Sequence, residues 1–70
     1  MSFEYEFSHD IYNARIKQGW KQRHVADEIS ISVREYQNIE AGKAIPNVKN
    51  FLRLVYVFNI DIQKYRKELC

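Results

Sequence analysis

The chain is poor in the residues that build extracellular, metal-centred or loop-rich domains. Its single cysteine, Cys70, is the last of 70 residues, so neither an intramolecular disulfide nor a cysteine-based metal cluster can form within it. His9 and His24 have no Cys or His partner at ligand spacing, and no metal is expected. Two glycines and one proline leave few sharp breaks, and no repeat, linker or low-complexity segment is visible. No stretch of about 18 apolar residues can span a bilayer, and no basic n-region followed by an apolar run opens the sequence. The expectation is a cytoplasmic protein with no membrane contact. Catalysis also finds no support. There is no Gly-rich phosphate loop, no activated Ser or Cys, and no paired carboxylates beyond surface neighbours such as Asp27 and Glu28, so neither enzyme activity nor a cofactor is expected.

What is present suffices for a fold. Hydrophobic residues make up 46% and aromatics 14%, too many for a disordered chain. A single small domain buries only about 60% of the surface its unfolded form exposes, so a partner copy is a natural source of further burial. Net charge is +2, unevenly spread. Residues 1–10 carry only acidic groups, whereas residues 11–53 carry eight Lys or Arg against four Asp or Glu. The basic middle is where a phosphate backbone would find partners.

Periodicity and punctuation then place the helices. Ser8 is read as the cap of a first helix over about residues 9–18, with Gly19 as its stop. Val25, Ala26 and Ile29 follow helical spacing, as do Tyr36, Ile39 and Glu40, and Ser30-Ile31-Ser32 interrupts the pattern between them. Ser32 with Glu35 forms a capping-box pattern, which starts the next helix near Val33, while Gly42 and Pro46 stop it near Ala41. Small Ala26 at the crossing and apolar Ile31 in the turn fit a helix-turn-helix. Asn47 caps a fourth helix whose buried face is read as Val48, Phe51, Leu52, Val55 and Phe58. Asn59 ends it, and Asp61 caps a fifth carrying Ile62, Tyr65 and Leu69. Phe3-Glu4-Tyr5-Glu6-Phe7 alternates strictly and reads as a short strand or arm over residues 1–7, preceding a helical domain over residues 8–70. Trp20 and Tyr36 are read as core residues.

The ordered set Arg15, Gly19-Trp20, Gln22, Val25-Ala26, Ile29, Ile31-Ser32, Tyr36, Ile39-Glu40, Gly42-Lys43 and Pro46, followed by an apolar helix and Asn-Ile-Asp-Ile, resembles the Cro/phage-repressor (XRE-type) helix-turn-helix family over about residues 9–66. The resemblance implies an all-α, compact five-helix lambda-repressor-like bundle whose third helix lies in the major groove. It implies a structural ion pair between Arg15 and Glu40. It makes Gln22 a phosphate clamp at the start of the second helix, with Lys21, Arg23, Ser32, Lys43 and Lys49 as further phosphate contacts. Val33, Arg34, Gln37 and Asn38 become the base-reading positions, Arg suited to guanine, Asn and Gln to adenine, and Val to a thymine methyl. The chain departs from the family pattern at Ser30, where Gly is usual, at Lys21, where a capping Ser or Thr is common, and at Ala41, where Asn is frequent.

One helix reads only four or five base pairs, so the expectation is a homodimer on double-stranded DNA, a regulator and specifically a repressor at a palindromic operator. The Phe3-Tyr5-Phe7 segment and the Ile62–Leu69 helix are the candidate dimer surfaces. The alternative is a protein-interaction module, antitoxin-like, that uses the same fold to bind a protein partner.

Overall fold

The computed structural model describes residues 2–66. Four α-helices and one 3₁₀ turn fill them: α1 (Phe3–Gln18), α2 (Gln22–Glu28), α3 (Val33–Glu40), α4 (Val48–Phe58) and the turn Ile62–Tyr65. Among the described residues there is no strand, and no helix is long and apolar enough to cross a membrane. The expected fifth helix is therefore seen only as that single turn, with Leu69 outside the described residues.

The start of the chain differs from its sequence reading. Residues 3–7 are the first turns of α1, not an arm or strand, and the cap is Ser2, whose hydroxyl accepts from the Tyr5 N–H at 3.3 Å. Ser8, read as the cap, lies inside the helix and donates its hydroxyl to the Tyr5 carbonyl at 2.8 Å. The reason is a coincidence of periods: Phe3, Phe7 and Ile11 fall four apart and share one helix face, while Phe3, Tyr5 and Phe7 also alternate. Glu4 and Glu6 in the first turn and Arg15 and Lys17 in the last complement the helix dipole. Gly19 closes the helix at φ 74°, where its N–H can return to the Arg15 and Ile16 carbonyls.

The central pair follows the expected boundaries closely. Ser32 accepts from the Glu35 N–H at 3.0 Å, and Ala41 ends α3. Lys21 caps α2 without a side-chain bond, and Ser30 takes φ 63° in the turn, a left-handed conformation that costs a non-glycine residue about 1 kcal/mol. Asn47 caps α4 by accepting from Asn50 N–H at 2.8 Å, and Asn59 closes it at φ 54°. Asp61 caps the final turn through Gln63 N–H at 2.9 Å.

The core gathers Phe7 and Ile11 from α1, Val25 and Ala26 from α2, Ile29 beyond it, Tyr36 and Ile39 from α3, Leu54 and Phe58 from α4, and Tyr65. Phe3, Phe7, Phe51 and Tyr65 form an aromatic cluster, with Phe7 and Phe51 centroids 5.0 Å apart and Phe3 edge-on to Tyr65 at 5.4 Å. Lys64 pairs with Asp10 at 2.7 Å and the Tyr65 hydroxyl donates to the same carboxylate, which pins the last turn onto α1. Trp20 is half-buried, packed on Phe58 and His24. The face of α4 is the second correction. Leu54 and Phe58 are its buried apolar residues, with Phe51 and Val55 packed partway in, while Val48 and Leu52 point outward. The polar residues Lys49, Asn50 and Arg53 aim the apolar contrast of α4 towards Val48 and Val55, but Asn50 is itself buried, so the core-facing side runs through Asn50, Leu54 and Phe58 instead.

Candidate nucleic-acid interface

The site is built on one carboxylate. Glu40 ends α3 with its side chain only 6% exposed, and Arg15 from α1, 12% exposed, meets it through two parallel bonds: Nε to Oε2 at 2.8 Å and Nη2 to Oε1 at 2.9 Å. The remaining Arg15 group, Nη1, donates to the Trp20 carbonyl at 3.0 Å and so ties the α1–α2 connection to the pair. The Tyr36 hydroxyl donates to Glu40 Oε2, and Gln22 Nε2 donates to Oε1 at 3.1 Å. Burial alone raises a carboxyl pKa, but these donors outweigh it, Arg15 foremost, and hold Glu40 below the usual carboxylate range. The same bonds raise Arg15, chiefly through Glu40. Burial and then the neighbouring Glu40 push the Tyr36 hydroxyl well above its ordinary value. At neutral pH the pair is charged and Tyr36 is a permanent donor.

The network continues to the surface. Gln22 spends its amide on Glu40, which turns its carbonyl outward, and that carbonyl accepts from Gln37 Nε2 at 3.1 Å. A buried charge on α1 is thus connected through the first residue of α2 to an exposed residue of α3. Arg34 and Gln37 lie one turn apart, as do Arg34 and Asn38, and all three are exposed. Val33 differs from them, being half-buried and packed against the core at the first position of α3.

Lys21, Arg23, Lys43 and Lys49 are exposed, and among the described residues none of them enters an ion pair. Lys21 and Arg23 flank Gln22 in sequence, Lys43 follows the C-terminal end of α3, and Lys49 lies in the first turn of α4. Ser32 is exposed, and its hydroxyl is already engaged in capping α3. His9 stacks on Tyr5, and His24 lies 3.9 Å from Glu28.

Several contacts escaped the sequence reading. Tyr36 is buried, as its spacing implies, but its hydroxyl also belongs to the Glu40 network. Its position four residues before Glu40 was the available signal. The Gln22 to Gln37 bond joins residues 15 apart, beyond any local rule. Arg53 donates to the Ile29 carbonyl at 3.0 Å and satisfies the end of α2 from α4.

A family model described as helix-turn-helix matches residues 11–65. Comparison with curated proteins and with solved structures gives no match. The matched span covers most of the chain and contains Arg15, Gln22, Tyr36, Gln37 and Glu40, the members of the network. The chain belongs to the Cro/phage-repressor (XRE-type) helix-turn-helix family, a family of DNA-binding regulators.

Proposed function

We propose that this chain is a sequence-specific DNA-binding transcriptional regulator, a repressor that binds a palindromic operator as a homodimer, with α3 as its recognition helix. The observation that carries the reading is the tethered edge of α3: exposed Arg34, Gln37 and Asn38, with Gln37 held by Gln22 and Gln22 by the buried Glu40. These side chains have the donors and acceptors that base edges in the major groove require. Val33, packed inward, supplies at most a methyl contact to thymine. Lys21, Arg23, Lys43 and Lys49 supply phosphate neutralisation without a competing carboxylate, and Gln22 and Ser32 lie at the N-terminal ends of α2 and α3, where backbone N–H groups also favour phosphate.

The tether shapes what Gln37 can read. One of its amide hydrogens is committed to Gln22, which leaves one N–H and the carbonyl. That pair matches adenine, which offers an acceptor at N7 and a donor at N6, and it cannot give two hydrogens to the N7 and O6 of guanine.

Selection of bound sites from random DNA tests the reading. An enriched palindrome is expected with the parent chain. Arg34→Ala should relax one position of each half-site at a cost of about 1–3 kcal/mol, and Gln22→Met should blur the adenine-over-guanine choice at the Gln37 position. If no site is enriched, the fold serves a protein partner instead. The exposed apolar face of α4 is the observation that favours that second reading.

A further inference from the structure

Ser8 is a polar residue that the fold buries and that takes no part in the Glu40 network. It is only 5% exposed, and it faces the bend that follows α3. Gly42 lies so close to it that a methyl group added at that glycine would meet the Ser8 hydroxyl oxygen at 3.3 Å and the Glu4 carbonyl oxygen at 3.9 Å. The approach requires small residues on both sides. Gly42 also holds φ 76°, a conformation that residues with a side chain adopt only at a cost. On its other side the bend is fastened to α3: the Gly42 N–H donates to the Ile39 carbonyl at 3.1 Å, and the Lys43 and Ala44 N–H groups share the Asn38 carbonyl at 2.9 and 3.2 Å. Ala44 then packs on the core. Lys43 is thus carried on a backbone fixed from two directions, with its side chain exposed and, among the described residues, outside any ion pair.

We propose that Ser8 is a positioning residue for DNA binding: with Gly42 it forms the seat that holds Lys43 against the phosphate backbone while α3 faces the bases. The proposal rests on the DNA-binding reading above, with Lys43 as a phosphate contact, and names the residue that places that contact. Two features tie the seat to the interface as well as to the fold. The Asn38 carbonyl that receives the Lys43 N–H belongs to one of the exposed residues of α3, so a base-facing side chain and a phosphate-facing one share a single backbone anchor. Lifting the bend changes the offset between them. The Ser8 hydroxyl, for its part, is already satisfied inside α1 by the Tyr5 carbonyl at 2.8 Å, and it needs no bond from Gly42. What Ser8 offers the bend is its small size.

The seat is supplied by turns of α1 that precede the matched residues 11–65. Phe3 and Phe7 fasten those turns to the rest of the molecule through their contacts with Phe51 and Tyr65. The start of α1 therefore acts on DNA through Lys43.

Binding of the full-length chain to duplex DNA carrying the selected site, measured over a range of salt, tests the seat. Lys43→Ala should lower the slope of log affinity against log salt by about one. Ser8→Val, whose added bulk lifts the bend, should lower it by a similar amount and leave the preferred bases unchanged, and the conservative Ser8→Ala, which adds no bulk, should restore the parent slope. Ser8→Val combined with Lys43→Ala should lose no more than Lys43→Ala alone, which a general loss of stability cannot produce. Circular dichroism melts check that each variant is folded at the assay temperature, and Ser8→Thr, which keeps the hydroxyl and adds one methyl group, replaces Ser8→Val if that variant unfolds. A folded variant with added bulk at Ser8 that keeps the parent slope, or whose loss adds in full to that of Lys43→Ala, overturns the proposal and leaves DNA binding in place. Lys43→Ala with the parent slope overturns it as well, by removing Lys43 from the phosphate contacts. A parent chain that selects no site and binds no duplex DNA removes the DNA-binding reading itself, and the proposal with it.

Discussion

Arg15→Ala offers the sharpest test of how the interface is held. The substitution removes three side-chain bonds at once: two to Glu40 and one to the Trp20 carbonyl. Glu40, with 6% of its side chain exposed, then keeps its charge in a poorly solvated site with only Tyr36 and Gln22 as donors. Stranding one partner of such a pair costs about 3–5 kcal/mol. A domain of 70 residues has a total stability of about 4–10 kcal/mol, so the loss is a large part of the whole. With a urea slope of about 1 kcal/mol/M for a chain this small, the unfolding midpoint should fall by about 3 M or leave the protein unfolded before urea is added. The companion variant Arg15→Met with Glu40→Gln separates the pair's intrinsic worth from the penalty of a stranded charge. It should recover a substantial part of the loss, because no buried charge is left without a partner. Equilibrium urea melts followed by circular dichroism measure both. An Arg15→Ala midpoint within about 0.5 M of the parent would refute the structural role of the pair.

The pH dependence follows from the same carboxylate: Glu40 is held below its unfolded value of about 4.3, so its contribution is complete above that value and is lost as pH falls through the lower folded value. Urea midpoints should therefore drop between pH 5 and pH 3, and the drop should be smaller in Glu40→Gln; an equal drop in both would assign acid sensitivity to other groups. Ser30→Gly should stabilise the domain, since Ser30 holds φ 63°; relief of about 1 kcal/mol, less some added chain entropy, should raise Tm by a few degrees, and an unchanged or lower Tm would show that the turn carries no strain.

Much of this architecture was legible because its signals are local. Ser32, Asn47, Asn59 and Asp61 each mark a helix end through a bond or a backbone angle within a few residues, and all four do so in the structure. The Arg15 to Glu40 pair came only through the family pattern, since nothing local connects residues 25 apart. Local signals failed where two periods or two faces competed. Phe3 to Phe7 satisfied both alternation and helical spacing over a window too short to decide. Along α4, Asn50 is polar and yet buried, so the face that the apolar pattern marks is not the one that meets the core. The Gln22 to Gln37 bond needed the crossing of α2 and α3 itself, because it depends on which way an amide points once Glu40 has claimed its N–H.

The wiring of the exposed edge of α3 divides its residues by how freely they can change. Arg34 and Asn38 are exposed, and among the described residues neither side chain takes part in a hydrogen bond, so replacing them perturbs stability by only about 0.5 kcal/mol. Gln37 is linked through Gln22 to the charge that fastens α1 to α3. If α3 is the recognition helix, as proposed, a lineage descending from this chain can acquire new operators cheaply by altering Arg34 and Asn38, while Gln37 drifts only in step with its tether.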